Sequence, residues 1–182
     1  VSVCWGGDWP RALSYSSDHT LCLWRLDVGR LGATLIGHSD VVCGVEADWE
    51  GNQAVSWSDD GTLRLWSLLD GHCFRLLAGH VGPVWSVHVD WTRSTALSYS
   101  FVHHALFLWK LDAAEPAKEF VLARGAWNGG AEVDWQREKA ICWSLDDSRL
   151  WVVDLGAEPK DGVRALLGHE GAISCVAFEA AD

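Results

Sequence analysis

The sequence predicts an all-β fold, a β-propeller of four-stranded antiparallel blades that form an open or partial ring. Apolar segments that end in tryptophan recur at intervals of 42 or 43 residues, at Trp24, Trp66, Trp109 and Trp151. A period of this length is typical of propeller blades. Each interval also contains several short apolar segments separated by turn residues, which predicts strands joined by hairpins.

The second repeat shows the elements in order. Its apolar segments predict strands over residues 41–49, 53–58, 62–68 and 73–78. Between them lie the turn dipeptides Gly51-Asn52 and Asp60-Gly61, whose residues tolerate the positive φ of tight hairpins. Consecutive strands joined by such short turns form a four-stranded antiparallel meander.

The other repeats extend this pattern over the whole chain. We expect blades at about residues 1–37, 38–79, 80–122 and 123–167, followed by the first strand of a fifth blade at 170–179. An array that stops there leaves sheet faces uncovered, which repeat proteins normally cap. We therefore expect either self-association or further blades outside this chain. The absence of methionine and the start at Val1 also suggest either a processed product or a piece of a longer gene product.

Composition narrows the class of partner. The chain has 25 acidic and 14 basic residues, a net charge of −11, and no cluster of Lys and Arg that could neutralise phosphates, so nucleic acid is not expected as a partner. No apolar run is long enough for a membrane span, and no signal peptide is recognisable. The six cysteines form no CxxC pair and are expected to be reduced thiols. These features predict an intracellular protein, cytoplasmic or nuclear.

The second repeat carries a specific motif. It reads Gly37-His38 and then SWSDDGTLRLW over residues 56–66. In this motif the chain resembles the WD-repeat β-propeller family, and the resemblance covers essentially all of it. It implies a buried hydrogen-bonded tetrad of His38, Ser56, Asp60 and Trp66, because a buried imidazole, carboxylate and indole N–H all need partners.

The same resemblance places incomplete tetrads in the other repeats. The first repeat offers Ser14, Asp18 and Trp24 without a histidine, and the third offers His80, Ser98 and Trp109 without the aspartate. The fourth retains Asp146 and Trp151, but Arg124-Gly125-Ala126 stands where Gly-His is due. These departures predict either that the strands of repeats three and four are held together less tightly than those of repeat two, or that the loops of these repeats are free for another use.

A metal site is the alternative chemistry. Glu46, His88 and Glu132 lie two residues before the Asp-Trp pairs of their repeats, on strands that would line the central channel of a propeller. Two carboxylates and an imidazole could bind a cation there, which would suit a metal-dependent propeller hydrolase. A solvated polar stripe explains the same residues, and we expect no cofactor and no catalytic residues.

Loops on one rim are the expected binding surface. The family resemblance implies that proteins or peptides bind at the turns between second and third strands and at the connections between blades: Ser17, Ser39, Asp40, Asp59, Val81, Gly82, Val102 and Leu145. Their acidic members and the net charge favour a basic peptide. The sequence thus predicts a non-enzymatic scaffold for protein association. The alternatives are the metal-dependent hydrolase and a sensor or docking segment of a larger enzyme or signalling protein.

Overall fold

The structure is a computed structural model that describes residues 2–4, 10–100, 102, 104–122, 129–143 and 148–176. Within these ranges it contains sixteen strands. The strands of the first half are β1 (Ser2–Cys4), β2 (Arg11–Tyr15), β3 (Thr20–Arg25), β4 (Arg30–Ile36), β5 (Val42–Asp48), β6 (Gln53–Ser58), β7 (Thr62–Ser67) and β8 (Cys73–Ala78). Those of the second half are β9 (Ser86–Asp90), β10 (Thr95–Ser100), β11 (Ala105–Lys110), β12 (Pro116–Val121), β13 (Gly130–Asp134), β14 (Lys139–Trp143), β15 (Leu150–Asp154) and β16 (Val163–Leu166).

The strands form four antiparallel sheets, each a meander of four consecutive strands. Sheet 1 contains β1–β4, sheet 2 β5–β8, sheet 3 β9–β12 and sheet 4 β13–β16. The prediction of an all-β fold built from four-stranded antiparallel sheets is confirmed. In the described part of the chain there is no helix with the length and apolar character needed to cross a membrane.

The first compact unit, Val1–Trp85, contains sheets 1 and 2. Their facing side chains form one apolar core: Leu13, Leu21, Leu23 and Leu35 from sheet 1, and Val42, Ala54, Trp66 and Leu68 from sheet 2. Arg11 joins the two sheets at one end, where its guanidinium donates to Asn52 Oδ1 at 2.9 Å and lies over the ring of Trp49. The alternation of apolar residues along each strand is what places leucines on one face.

The second compact unit, Ser86–Asp182, contains sheets 3 and 4. Its apolar core is built in the same way, from Leu97, Leu106, Leu108 and Phe120 of sheet 3 and from Ala131, Ala140, Cys142, Trp151 and Val153 of sheet 4. Two cations of sheet 3 also bond to backbone carbonyls of sheet 4. Arg93 donates to the carbonyl of Trp135, and Lys118 Nζ lies 2.9 to 3.0 Å from the carbonyl oxygens of residues 155–157.

Aromatic side chains in the second strands stand opposite small residues in the first strands. Gly44 pairs with Trp57, and Gly130 pairs with Trp143. A Cβ atom on Gly44 would lie 2.1 Å from Cζ2 of Trp57, which is less than any van der Waals contact. The glycine therefore allows the indole to lie flat across the neighbouring strand.

Beyond β16 the structure describes ten more residues. Residues 167–176 belong to no strand, although Ile173 is buried. Residues 177–179, the end of the first strand predicted for a fifth blade, lie outside the described residues. That strand stays a prediction.

Candidate functional site

Four side chains of sheet 2 and the loop before it form a continuous chain of hydrogen bonds. The indole Nε1 of Trp66 donates to Ser56 Oγ at 2.8 Å, and Ser56 Oγ lies 2.7 Å from Nε2 of His38. On the other side of the imidazole, Nδ1 of His38 lies 2.8 Å from Oδ2 of Asp60. The structure thus brings together the four residues that the WD resemblance marks as a tetrad.

Counting donors assigns the protons in this chain. The indole N–H of Trp66 can only donate and the carboxylate of Asp60 can only accept, so Ser56 Oγ accepts from Trp66 and the Nδ1–H of His38 donates to Asp60. In a neutral imidazole Nε2 then carries only a lone pair, and it accepts the hydroxyl proton of Ser56. Burial lowers the pKa of His38 despite the neighbouring Asp60 carboxylate, in agreement with a neutral ring.

Asp60 is the anion at the end of the chain, and the turn around it supplies further donors. Thr62 donates to Oδ1 through both its backbone N–H, at 2.9 Å, and its hydroxyl, at 2.6 Å, and the backbone N–H of Ser39 donates to Oδ2 at 3.0 Å. Burial alone would raise the pKa of Asp60, but the hydrogen bonds from Thr62, Ser39 and His38 outweigh it and lower the pKa to about 2. The carboxylate therefore ties the β6–β7 turn to the loop that precedes β5.

Ser56, His38 and Asp60 have the connectivity of a hydrolytic Ser–His–Asp triad. The Ser56 side chain, however, is fully buried, and its oxygen already accepts the indole N–H of Trp66. A nucleophile must reach the carbon that it attacks, and no substrate can approach this oxygen in the folded protein. The arrangement ties strands together.

Sheets 1 and 3 repeat one part of this network. Trp24 donates to Ser14 Oγ at 2.8 Å, and Trp109 donates to Ser98 Oγ at 2.7 Å. In sheet 1 the predicted Asp18 accepts hydrogen bonds from the backbone and hydroxyl of Thr20 within its own turn. His80 is buried at the loop that follows β8.

In sheet 4 the strand register differs from the one that the spacing of the repeats predicted. Trp24, Trp66 and Trp109 each stand opposite an alanine of the second strand, whereas Trp151 stands opposite Cys142, and the position opposite Ala140 is occupied by Val153. Trp151 is therefore two residues out of register with the other three, and its placement in a tetrad was wrong. Spacing along the chain hid the shift, because the β14–β15 turn has a different length. Asp146 lies in that turn, outside the described residues.

The predicted rim residues of the first unit gather at one end of sheets 1 and 2. The backbone N–H of Asp59 donates to the carbonyl of Val41 at 3.0 Å, and the hydroxyl of Ser58 donates to the carbonyl of Asp40 at 3.2 Å. The Cys43 thiol donates to Asp59 Oδ1 at 3.0 Å. Burial, with the Asp59 carboxylate beside it, raises the pKa of this thiol to about 12, so it is a hydrogen-bond donor and not a thiolate nucleophile.

Two more loops complete this end of the first unit. The turn that holds Ser17 lies beside the start of β5, since the N–H of Val42 donates to the carbonyl of Ser16. The loop that holds Val81 and Gly82 lies beside Gly61, where a Cβ atom would be 3.2 Å from the Gly82 carbonyl oxygen. We call residues 16–19, 37–41, 58–61 and 79–84 the acidic loop surface.

The structure describes only part of the rim that was predicted in the second unit. Val102 is exposed in the β10–β11 turn. Leu145 lies outside the described residues. The predicted rim residues that the structure describes are therefore mainly those of the first unit.

The candidate metal ligands have other surroundings. Nε2 of His88 lies 2.8 Å from the carbonyl oxygen of Ala131, so the imidazole donates a hydrogen bond that joins β9 to β13. Glu132 is exposed on β13, and Glu46 is half-buried on β5 in the other unit. Among the described residues, no three His, Cys, Asp or Glu side chains are grouped closely enough to hold a metal ion.

Sequence reasoning missed the polar groups that join neighbouring sheets. These are Arg11 and Arg93, which bond to the carbonyls of Trp49 and Trp135, and Lys118 with its three carbonyl acceptors. The two arginines stand at the same position after an Asp-Trp pair, as does Arg137 in the fourth repeat, and this recurrence could have identified them. A basic residue also recurs in the fourth strands, at Arg75, Lys118 and Arg164, and this could have identified the Lys118 contact.

Comparison with known proteins supports the fold alone. No protein-family model matches the chain, and no curated protein sequence does. Among solved structures, the chain is similar to the crystal structure of the computationally designed Ika8 protein, with a TM-score of 0.77 and 17% sequence identity. The match covers 98% of this chain and 52% of the designed one, so this chain spans about half the length of the protein that it matches.

Proposed function

We propose that this chain is a WD-type β-propeller segment that binds proteins or peptides through the acidic loop surface, as a non-enzymatic scaffold. Within each unit, neighbouring sheets pack face to face, and their first strands approach one another, β1 with β5 and β9 with β13. Radial packing of four-stranded meanders around their first strands is the arrangement of a propeller. The His38–Ser56–Trp66 hydrogen bonds match the motif that the sequence shares with WD repeats.

The observation that carries the binding proposal is the charge of the acidic loop surface. Its four segments contain four aspartates, Asp18, Asp40, Asp59 and Asp60, and no Lys or Arg. One of these, Asp60, is engaged within the tetrad, while Asp18 and Asp40 are exposed. A surface of one charge attracts a partner of the opposite charge, so the ligand is expected to be a Lys- and Arg-rich segment.

The loops are also held in place before any partner arrives. The bonds from Ser39 to Asp60 and from Asp59 to Val41 fix the connection between sheets against the β6–β7 turn. A surface that is already ordered loses less conformational entropy on binding. Next to it the side chain of Trp85 is exposed, and tryptophan is one of the residue types that are enriched among the energetically dominant residues of protein interfaces.

The experiment measures binding of short basic peptides and of their charge-neutral counterparts by calorimetry and fluorescence polarisation. The double variant Asp40→Asn, Asp59→Asn retains the acceptor oxygens and removes two charges, so it should weaken binding by about 5- to 30-fold. Asp70→Asn, in the β7–β8 turn at the opposite end of sheet 2, is the matched control and should bind like the wild type. Binding should also weaken as salt is raised.

Two results would contradict the proposal. Equal affinity of the double variant and the wild type would place the ligand elsewhere on the molecule. Equal affinity for basic and neutral peptides would remove the electrostatic argument. Trp85→Ala provides an independent test, because it should weaken binding without changing the dependence on salt.

A further inference from the structure

The sheets of this chain have two different faces, and one of them is uncovered on sheet 1. The face that carries Trp24 in sheet 1 carries Trp66 in sheet 2, and we call it the head face. Trp66 and Trp109 have 0% of their surface exposed, whereas Trp24, in the same register, is 37% exposed. Leu31, the cross-strand partner of Trp24, is exposed as well. The head face of sheet 1 is therefore an apolar surface of a kind that is covered elsewhere in the chain.

The opposite face, which we call the tail face, is uncovered on sheet 4. Leu35 of sheet 1 and Phe120 of sheet 3 stand at equivalent positions of the fourth strand, and each is 0% exposed. The equivalent residue of sheet 4 is Leu166, which is 42% exposed. Its neighbours on this face, Leu150 and Val152, are only partly buried.

The contact that these two faces could make already occurs twice within the chain. In the first unit the tail-face leucines of sheet 1 pack against Trp66 and Ala54 on the head face of sheet 2. In the second unit the tail face of sheet 3 packs in the same way against sheet 4. The uncovered tail face of sheet 4 and the uncovered head face of sheet 1 are thus complementary. They are the same two kinds of face that pack against each other within each unit.

A polar contact accompanies the apolar one. Lys118, which pairs with Leu108 in sheet 3, donates to three carbonyl oxygens in the loop that follows β15. Arg164 holds the equivalent position in sheet 4, paired with Val152, and its side chain is exposed. The equivalent acceptor loop of sheet 1 is residues 26–28, which follow β3 and include the acidic side chain of Asp27. Arg164 therefore has a matching acceptor on the uncovered side of sheet 1.

We propose that two copies of this chain associate head to tail, with the tail face of sheet 4 in each copy against the head face of sheet 1 in the other. Such a contact joins two different faces and is therefore heterologous. The assembly closes only if the free face of the last copy meets the free face of the first. The similarity to the designed protein is the basis for the number: this chain covers 52% of that protein with 98% of its own length, so two copies correspond to the full length of the designed protein. In the assembly Trp24 and Leu166 are buried, and Arg164 donates to the 26–28 loop of the other copy.

The test uses the 182-residue chain in sedimentation velocity and light scattering over a range of concentrations. The wild type should sediment as a two-copy species. Cys22→Glu on the head face and Leu166→Glu on the tail face should each raise the dissociation constant at least ~30-fold, because each buries an unpaired charge at both junctions. The control is Leu69→Glu, an exposed leucine in the β7–β8 turn that lies on neither face, and it should associate like the wild type.

Mixing the two variants distinguishes head-to-tail contact from other modes. The tail face of the Cys22→Glu chain and the head face of the Leu166→Glu chain are both unaltered, so the equimolar mixture should recover one intact junction and form a heterodimer. Neither variant alone has an intact junction. A symmetric contact between two head faces would instead leave the Leu166→Glu chain fully associated.

A second readout covers the case in which a variant fails to fold. The Cys22 thiol is half-buried in the isolated chain and lies on the head face, so its alkylation, followed by mass spectrometry, should slow on concentrating the wild type. Cys175 is exposed and serves as the internal control. A monomer at all concentrations, an unrestored mixture, or unchanged Cys22 labelling would overturn the proposal. A ladder of species larger than two copies would overturn the two-copy closure.

Discussion

Removal of the Ser56 hydroxyl is the sharpest test of the tetrad. Its oxygen accepts from Trp66 and donates to His38 at 2.8 and 2.7 Å, and all three side chains are buried. Ser56→Ala therefore leaves an indole N–H and an imidazole nitrogen without partners, and each loss destabilises by about 1 to 3 kcal/mol. The variant should lose about 2 to 5 kcal/mol of unfolding free energy, which lowers Tm by about 5 to 15 °C in a chain of this size.

Ser100→Ala is the matched control for this substitution. The Ser100 hydroxyl is also buried, but it makes no hydrogen bond to any described residue. Its removal should be neutral or stabilise the protein by up to about 1 kcal/mol. Urea unfolding, followed by both tryptophan fluorescence and circular dichroism, measures the difference. If the two variants unfold within about 0.5 kcal/mol of one another, the hydrogen-bonded chain does not stabilise sheet 2 as argued.

Two further predictions concern protonation and packing. Because burial lowers the pKa of His38 from its ordinary value of 6.5, the unfolded chain binds this proton more tightly, so stability should fall as pH drops below about 6.5. Thermal unfolding from pH 8 to pH 4 measures this, and His38→Gln should show a flatter dependence; a steeper one would contradict the assignment of a neutral ring. Gly44→Ala should destabilise by about 1 to 3 kcal/mol, because the added methyl group would overlap the Trp57 ring, whereas Gly168→Ala, with nothing within 4 Å, should be tolerated. Equal denaturation midpoints for the two alanine variants would mean that the Trp57 ring moves aside without loss of stability.

Local patterns predicted much of the fold because turns and strands depend on neighbouring residues. The Asp60-Gly61 dipeptide predicted the β6–β7 turn, and Gly61 has the positive φ that such a turn requires. The apolar segment at residues 62–68 predicted a strand, and the structure forms β7 there with Leu63 and Leu65 buried. Four-stranded antiparallel meanders follow from such short connections.

The same patterns failed where the answer depends on register between strands. The spacing of Trp151 from Trp109 suggested equivalent positions, but hydrogen bonding between β14 and β15 sets Val153 in that place. A sequence interval measures distance along the chain and includes the length of the turn. Only the pairing of strands shows which residues stand opposite one another.

The sequence by itself determined that this protein has a repeat of about 42 residues, that the repeat encodes strands and turns, and that the second repeat carries a matched set of His, Ser, Asp and Trp. The tertiary structure decided how residues of the same type, at equivalent positions of the repeat, differ in their surroundings. Trp24 and Trp66 end nearly identical strands, yet the indole of Trp66 is buried against sheet 1, and that of Trp24 faces outward. Burial depends on what lies across the sheet face, which is a property of the packed chain and has no signal in the strand itself.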